Sequence, residues 1–392
     1  MAATEKGVWD NQDVKDKITV SEWEYSSNLH SAWSWGSNNY GELGQNNTTF
    51  YSSPVQLGSD TNWSRISPGE RCSAGLKNDG TLWQWGMNQY GQLGMNNTTK
   101  YSSPVQIPGT WSKISCGRFM SSGVKTDGTL WTWGRNHFGQ LGHNDLTTYS
   151  SPRQLPGSTW VNCSSGAYDM FAVKSDGSCW SCGYNIKGVL GLNDQGWSTL
   201  RSSPVQIPGS GANSTDYNFW PSQAAAMYTM FYKRGTDQLW GTGRSDTGQL
   251  GQGSDGDNAA RSSPVQIPGA WQDVGGIYSE GVVASQTNGT LWAWGQNEYG
   301  QLGHNNRTNY ATPHQIGSDT TWSDIGGGSA TAYGVKTDGT LWAWGRNNQG
   351  QLGTNQTHNL FRSSPVQIPG TDWTKVEAET EQNGTCFALK QI

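Results

Sequence analysis

Long apolar runs are missing from this sequence. Nowhere does it hold the roughly 18 to 20 consecutive apolar residues that a bilayer-spanning helix needs. The opening stretch MAATEKGVWDNQDVKDK has no apolar segment either, so neither a signal peptide nor a membrane anchor is expected. Charge is sparse at 14% of residues, and 25 Lys and Arg against 30 Asp and Glu leave a net charge of −5. A chain without a basic excess lacks the electrostatic footprint of a nucleic-acid binder. Six cysteines in 392 residues are too few and too scattered for a disulfide framework, which points to synthesis in a reducing cytoplasm.

Catalytic signatures are absent as well. There is no Walker loop, no Gly-x-Ser-x-Gly elbow and no His-Glu-x-x-His. The six histidines, at 30, 137, 143, 304, 314 and 358, show no ligand spacing. No catalytic residue, cofactor or metal is therefore assigned, and a protein that is not an enzyme is expected. What the chain does have is aromatic mass, with 22 Trp and 15 Tyr, far more than a disordered chain carries.

Self-similarity dominates the rest. The string WQWGMNQYGQLG at Trp83 returns as WTWGRNHFGQLG at Trp131, WAWGQNEYGQLG at Trp292 and WAWGRNNQGQLG at Trp342. Weaker copies start at Trp33, Trp180 and Trp240, making seven. Their marker glycines, Gly41, Gly91, Gly139, Gly188, Gly248, Gly300 and Gly350, are spaced by 50, 48, 49, 60, 52 and 50 residues. A second marker, SSPVQ and its variants, keeps the same register, and the extra length falls mainly in residues 193–200 and 210–217.

Each unit reads as four short strands. A strand like WSKIS at Trp111 precedes a hairpin turned at Asp127-Gly128, then the Trp-x-Trp-Gly strand, a Gly-rich loop, and SSPVQI ending at Pro-Gly. The first copy lacks its two opening strands, and the C-terminal TDWTKVEAETEQNGTCFALKQI supplies them. The region around Phe387 to Lys390 should therefore pair with that around Ser31 to Trp35. Such closure removes exposed sheet edges. The expectation is an all-β, seven-bladed β-propeller of about 50-residue repeats, spanning 29–392, with a short N-terminal arm over 1–28.

The tryptophans fit that scheme. The Trp-x-Trp strands account for 12 of the 22, and both rings should be buried between blades because strand side chains alternate. Seven more open the first strand of each unit: Trp63, Trp111, Trp160, Trp220, Trp271, Trp322 and Trp373. Trp9, Trp23 and Trp197 remain. Cys179 and Cys182 replace a Leu and a Trp of other copies, so both read as core substitutions.

The WGxNxxGQLG motif, repeated seven times at about 50 residues, resembles the regulator of chromosome condensation repeat family over residues 29–392. That family includes an exchange factor, a plant photoreceptor and a bacterial inhibitor of β-lactamase, so the resemblance implies a propeller and a habit of binding proteins, and no single chemistry. The photoreceptor's Gly-Trp-Arg-His-Thr motif is missing, the nearest string being Gly196-Trp197-Ser198-Thr199. No catalytic residue of the exchange factor maps onto this chain.

A second resemblance lies in GVWDNQDVKDKITVSEWEY at residues 7–25, which looks like the leader of virion structural proteins of marine tailed phages. Asp10 can cap a helix with Val14 and Ile18 on one face, while Val8, Trp9, Trp23 and Tyr25 serve as anchors. Packing of this arm on its own propeller is the alternative. For the propeller, the loops before SSPVQ carry Phe50, Tyr51, Lys100, Tyr101, Tyr149, Trp197, Arg201, Arg307, Tyr310, Phe361 and Arg362, residue types that make binding hot spots. Either they form a ring of partner-binding anchors or they cover the outer edges of the blades. The leading expectation is a phage virion component, tail- or capsid-attached, binding other virion subunits or a host surface, made in the host cytoplasm. The alternative is a soluble cytoplasmic propeller that regulates a partner protein, with an enzyme built around the central channel third.

Overall fold

The computed structural model describes residues 29–210, 217–221, 228–233, 237–253, 256, 259–277, 280–356, 361–379 and 384–392, with backbone alone for Trp197, 217–221 and 228–233. The arm at 1–28, with Val8, Trp9, Val14, Ile18, Trp23 and Tyr25, lies outside the described residues.

Antiparallel four-stranded sheets stand side by side around an axis, seven of them, numbered here as blades 1 to 7. Blade 2 shows the plan: inner strand Trp63–Pro68, then Cys72–Lys77, Leu82–Gly86 and outer strand Tyr101–Ile107. The inner strands touch one another all the way round, Trp373–Ala378 of blade 1 meeting Trp322–Gly327 of blade 7 and Trp63–Pro68 of blade 2. Side-chain acceptors stitch these neighbours together. Cys116 N donates to Ser67 Oγ at 3.0 Å, Ser165 N to Ser115 Oγ at 2.9 Å and Val376 N to Asp324 Oδ2 at 2.8 Å.

Blade 1 is assembled from both ends of the described chain. Thr385–Gln391 pairs with His30–Gly36 in an unbroken register from His30 opposite Gln391 to Gly36 opposite Thr385. This pairing leaves no unpaired radial edge between the two termini.

The expected series of seven opening tryptophans is corrected by the strand registers. Six inner strands open with a Trp opposite the end of the second strand and then bulge, between Trp63/Arg65, Trp111/Lys113, Trp160/Asn162, Trp271/Asp273, Trp322/Asp324 and Trp373/Lys375. Blade 5 does not share this build. Its inner strand Tyr217–Pro221 pairs without a bulge, Tyr217 stands opposite Lys233 where the others place Trp, and Trp220 faces Met230. Trp220 is therefore not the seventh member of the Trp series. A bulge adds one residue and sharpens twist; blade 5 lacks it, and its Trp stands three positions further along the strand.

The Trp-x-Trp expectation also needs correction. The second ring is sealed between blades: Trp35, Trp85, Trp133, Trp294 and Trp344 are fully buried. Each indole donates to a carbonyl in the preceding blade's crossing loop, as Trp85 Nε1 does to Glu42 O at 2.8 Å and Trp133 Nε1 to Gln92 O at 2.9 Å. Where the second Trp is replaced, Cys182 Sγ and Thr242 Oγ1 donate instead, to Gln140 O and Val189 O. The first ring is only half-buried. It lies at the hairpin end of the blade, where Trp83 Nε1 donates to Thr81 Oγ1, whose hydroxyl donates to Asp79 Oδ1. Lys77 covers that ring, its ammonium 4.3 Å from the Trp83 ring centre, an arrangement repeated by Lys125 on Trp131, Lys174 on Trp180 and Lys336 on Trp342.

Both sequence markers now have one cause. The glycine that opens GQLG lies against the next blade's outer strand: at Gly91, with φ +74°, a Cβ would stand 2.3 Å from Ser150 Cα. A residue later in the same loop, Asn96 N donates to Ser150 O at 2.8 Å. The SSPVQ strand is thus the seat of the crossing loop from the blade before.

Candidate functional site

Strand directions divide the loops between two faces. Crossing loops and the turns between inner and second strands lie on one, and the Asp-Gly hairpins lie on the other. Residues expected as rim anchors sit at the outer margin of the crossing-loop face. Most are engaged locally. Tyr51, Tyr101 and Tyr310 accept hydrogen bonds from Asn47, Asn97 and Asn306 at 3.0, 3.3 and 3.1 Å, and Tyr149 donates to Asp145 at 2.7 Å. Arg201 pairs with Asp194, and Arg362 donates to Gln356. Phe361 packs edge-on to Tyr299 and beneath Arg307. Phe50, 42% exposed, and Lys100 face solvent. For Trp197 no side chain is described. Through these contacts the tyrosines close their own crossing loops.

His143 belongs to the same margin, half-buried with its ring 5.4 Å from that of Tyr149. Burial first, and then Arg153, lower its pKa from 6.5 to about 4. In the unfolded chain it takes a proton as pH falls through 6.5; in the folded chain it resists until about 4. Stability present above 6.5 is therefore lost as pH falls toward 4. His143→Gln, copying Gln45 at the equivalent position, should flatten the dependence of the urea midpoint over that window; an unchanged slope would count against the assignment.

Nearer the axis the same face carries a different constellation. Arg135 lies among four rings, its guanidinium carbon 5.2 Å from the centre of Tyr90, 5.4 Å from Phe119 and 6.0 Å from Phe138 and Tyr168. Arg71 covers Tyr40 at 5.2 Å, and Arg118 covers Phe119 at 5.0 Å. Glu70, with its side chain 1% exposed, pairs with both Arg71 at 3.2 Å and Arg118 at 2.5 Å. Edge-to-face contacts link Tyr90 to Phe119 and Phe138 to Tyr168, at 5.2 and 5.1 Å, and Tyr184 closes the far end. The result is an arc across blades 1 to 4 in which guanidiniums and rings hold one another in place. Arg71 and Arg118 share one carboxylate, and no carboxylate among the described residues pairs with Arg135. On blades 5 and 6 the pattern differs: Arg244 is neutralised by Asp246 and Glu280.

Chemically, the arc offers half-buried rings at Tyr40, Tyr90, Phe138 and Tyr168, backed by the buried Phe119 and Tyr184, and preorganised guanidiniums, the combination that anchors protein interfaces. Sequence reading passed over it because its residues are split between two kinds of loop, the crossing loops and the inner turns of successive blades. One signal was there: an aromatic precedes the marker glycine at Tyr40, Tyr90 and Phe138, and Arg118-Phe119 and Tyr168 follow Gly117 and Gly166 in the inner turns.

A closed radial array of four-stranded sheets defines the chain as a β-propeller protein. Five segments, 30–76, 79–123, 127–173, 288–332 and 338–378, match the family model for the regulator of chromosome condensation (RCC1) repeat. A second model of the same repeat matches 111–140 and 322–351. These segments make up more than half of the sequence, and the chain belongs to the RCC1 repeat family. Among solved structures it is similar to human WBSCR16, with 20% identity, TM-score 0.76, and coverage of 92% of this chain and 99% of that one. It is likewise similar to Prp20p from Saccharomyces cerevisiae, with 15% identity, TM-score 0.79, and coverage of 93% and 92%. The yeast RCC1 (Prp20) chain solved with Kap60 gives 15% identity, TM-score 0.78, and coverage of 93% and 89%. Likeness at this identity speaks for the fold alone. No curated protein matches the sequence.

Proposed function

We propose that this chain is a non-enzymatic protein-binding propeller that docks a soluble partner on its crossing-loop face through the arc from Tyr40 to Tyr184. The observation that carries this reading is Arg135, a guanidinium fixed among four aromatic rings with no carboxylate partner among the described residues. Family membership supports it: Prp20p has been described with binding properties toward Gsp1p and histones, and yeast RCC1 with Kap60 bound. A phage virion role rests on the leader at 7–25, outside the described residues, and draws no support from the family match or the similar structures. The soluble, partner-regulating reading is therefore preferred, with the cytoplasm as its place of action.

The test is capture. Immobilised propeller should recover one stoichiometric partner from lysate of the producing cells. Arg135→Glu, which breaks no ion pair, should weaken that capture by roughly 30-fold, the loss typical of a hot spot. Retention of the partner at full strength by a folded Arg135→Glu variant would refute the arc as the docking surface.

A further inference from the structure

We infer that the propeller also stacks head to tail on copies of itself, the arginine arc of one ring receiving the Asp-Gly turns of the next. This inference rests on reading the arc as a docking surface and names a second copy of the chain as one occupant.

The two faces differ in charge. Across the arc, Arg71 and Arg118 share the Glu70 carboxylate and Arg135 pairs with none among the described residues, so the guanidiniums outnumber the carboxylate that they pair with. On the opposite face, blades 2, 3 and 4 present Asp79, Asp127 and Asp176, all exposed, in their hairpin turns. Both local hydrogen bonds to each of these side chains fall on Oδ1, from the amide and hydroxyl of Thr81, Thr129 and Ser178. Those donors hold the three pKa values below the ordinary carboxylate value, so the turns are ionised at neutral pH. The neighbouring lysines, Lys77, Lys125 and Lys174, lie over tryptophan rings at 4.3, 3.9 and 4.2 Å and add to the turn carboxylates an attraction smaller than that of the hydrogen bonds, while Lys77 also pairs with Asp60.

Placement completes the argument. The arc spans blades 1 to 4, and the three acidic turns lie on the far side of blades 2, 3 and 4. Both sets sit at the ends of the second and third strands of their blades, the arc at one end and the acidic turns at the other, so copies stacked along the ring axis present one set to the other. Such a contact is heterologous, so it leaves a free arc at one end and free turns at the other, and growth is open rather than closed into a dimer. The net charge of −5 opposes association, which makes the contact weak and sensitive to salt.

Sedimentation velocity of the purified full chain tests this. At about 0.05 M salt the weight-average mass should climb with concentration to at least about twice the monomer, and at about 0.5 M salt it should return to the monomer. Arg135→Glu alone, and Asp127→Lys with Asp176→Lys alone, should each abolish association. Mixing the two variants should restore a complex, because their altered faces are again complementary. A wild-type chain that stays monomeric at low salt, self-association that survives Arg135→Glu, or a mixture that fails to associate would each overturn the stacking. A monomeric wild type that still captures a partner from lysate would leave the protein-binding reading standing.

Discussion

A chain ended at Gly384 is expected to lose its cooperative unfolding transition altogether. The segment removed, residues 385–392, carries Thr385–Gln391, one of the two middle strands of blade 1, hydrogen-bonded on one side to His30–Gly36 and on the other to Trp373–Ala378. Its side chains serve two separate cores. Phe387, fully buried, sits 6.0 Å from Trp85 in the cluster with Trp63 and Ile66, while Cys386 and Ala388 pack toward Trp35 and Tyr333. Loss of Phe387 alone would cost about 3 to 5 kcal/mol, and loss of the strand adds two unpaired edges and two opened cores. These losses fall on a fold whose whole stability is typically roughly 5 to 15 kcal/mol. Thermal melts by circular dichroism and limited proteolysis should show no sharp transition and rapid digestion. Removing Ile392, which is 64% exposed, is the matched control and should change little. A truncated chain with a single sharp melt would mean that the ring does not depend on its seam.

The seam was legible because it is a matter of bookkeeping along the sequence: the first copy lacks two strands and the last residues provide them. Blade boundaries were legible for the same reason, since the marker glycine and SSPVQ both derive from one contact between neighbouring blades. What the sequence obscured is register. Trp220 looks like the opening Trp of its unit, and only strand pairing shows Tyr217 in that position. The unequal burial of each Trp-x-Trp pair was hidden too. Alternation assigns both rings to one face, but it cannot say that one lies between blades while the other sits at the hairpin end under a lysine. The arc was the least visible feature, because Arg71, Phe119 and Arg135 come from three loops and meet only when adjacent blades are set side by side.

Asp169→Thr is expected to stabilise the protein at neutral pH. Asp169 opens the second strand of blade 4 opposite Gly183, a position held by Met120 in blade 3, Thr331 in blade 7 and Thr385 in blade 1. Its carboxyl group is buried, and Oδ1 finds no hydrogen-bond partner among the described residues. Burial is the cause that raises its pKa from 3.8 to about 8. The sign follows from proton binding. Between 3.8 and about 8 the unfolded chain has released this proton while the folded chain keeps it, so stability is greatest below 3.8 and falls as pH rises across that window. At pH 7 the burden is on the order of 2 to 4 kcal/mol. Threonine carries no charge there, and Thr385 shows where its hydroxyl can go, donating to the Ser37 carbonyl at 3.2 Å. The variant should melt roughly 3 to 5 °C higher at pH 7 and show little advantage at pH 4. An equal gain at both pH values would assign the effect to packing, and no gain at pH 7 would mean that the carboxyl group is better accommodated than its enclosure implies.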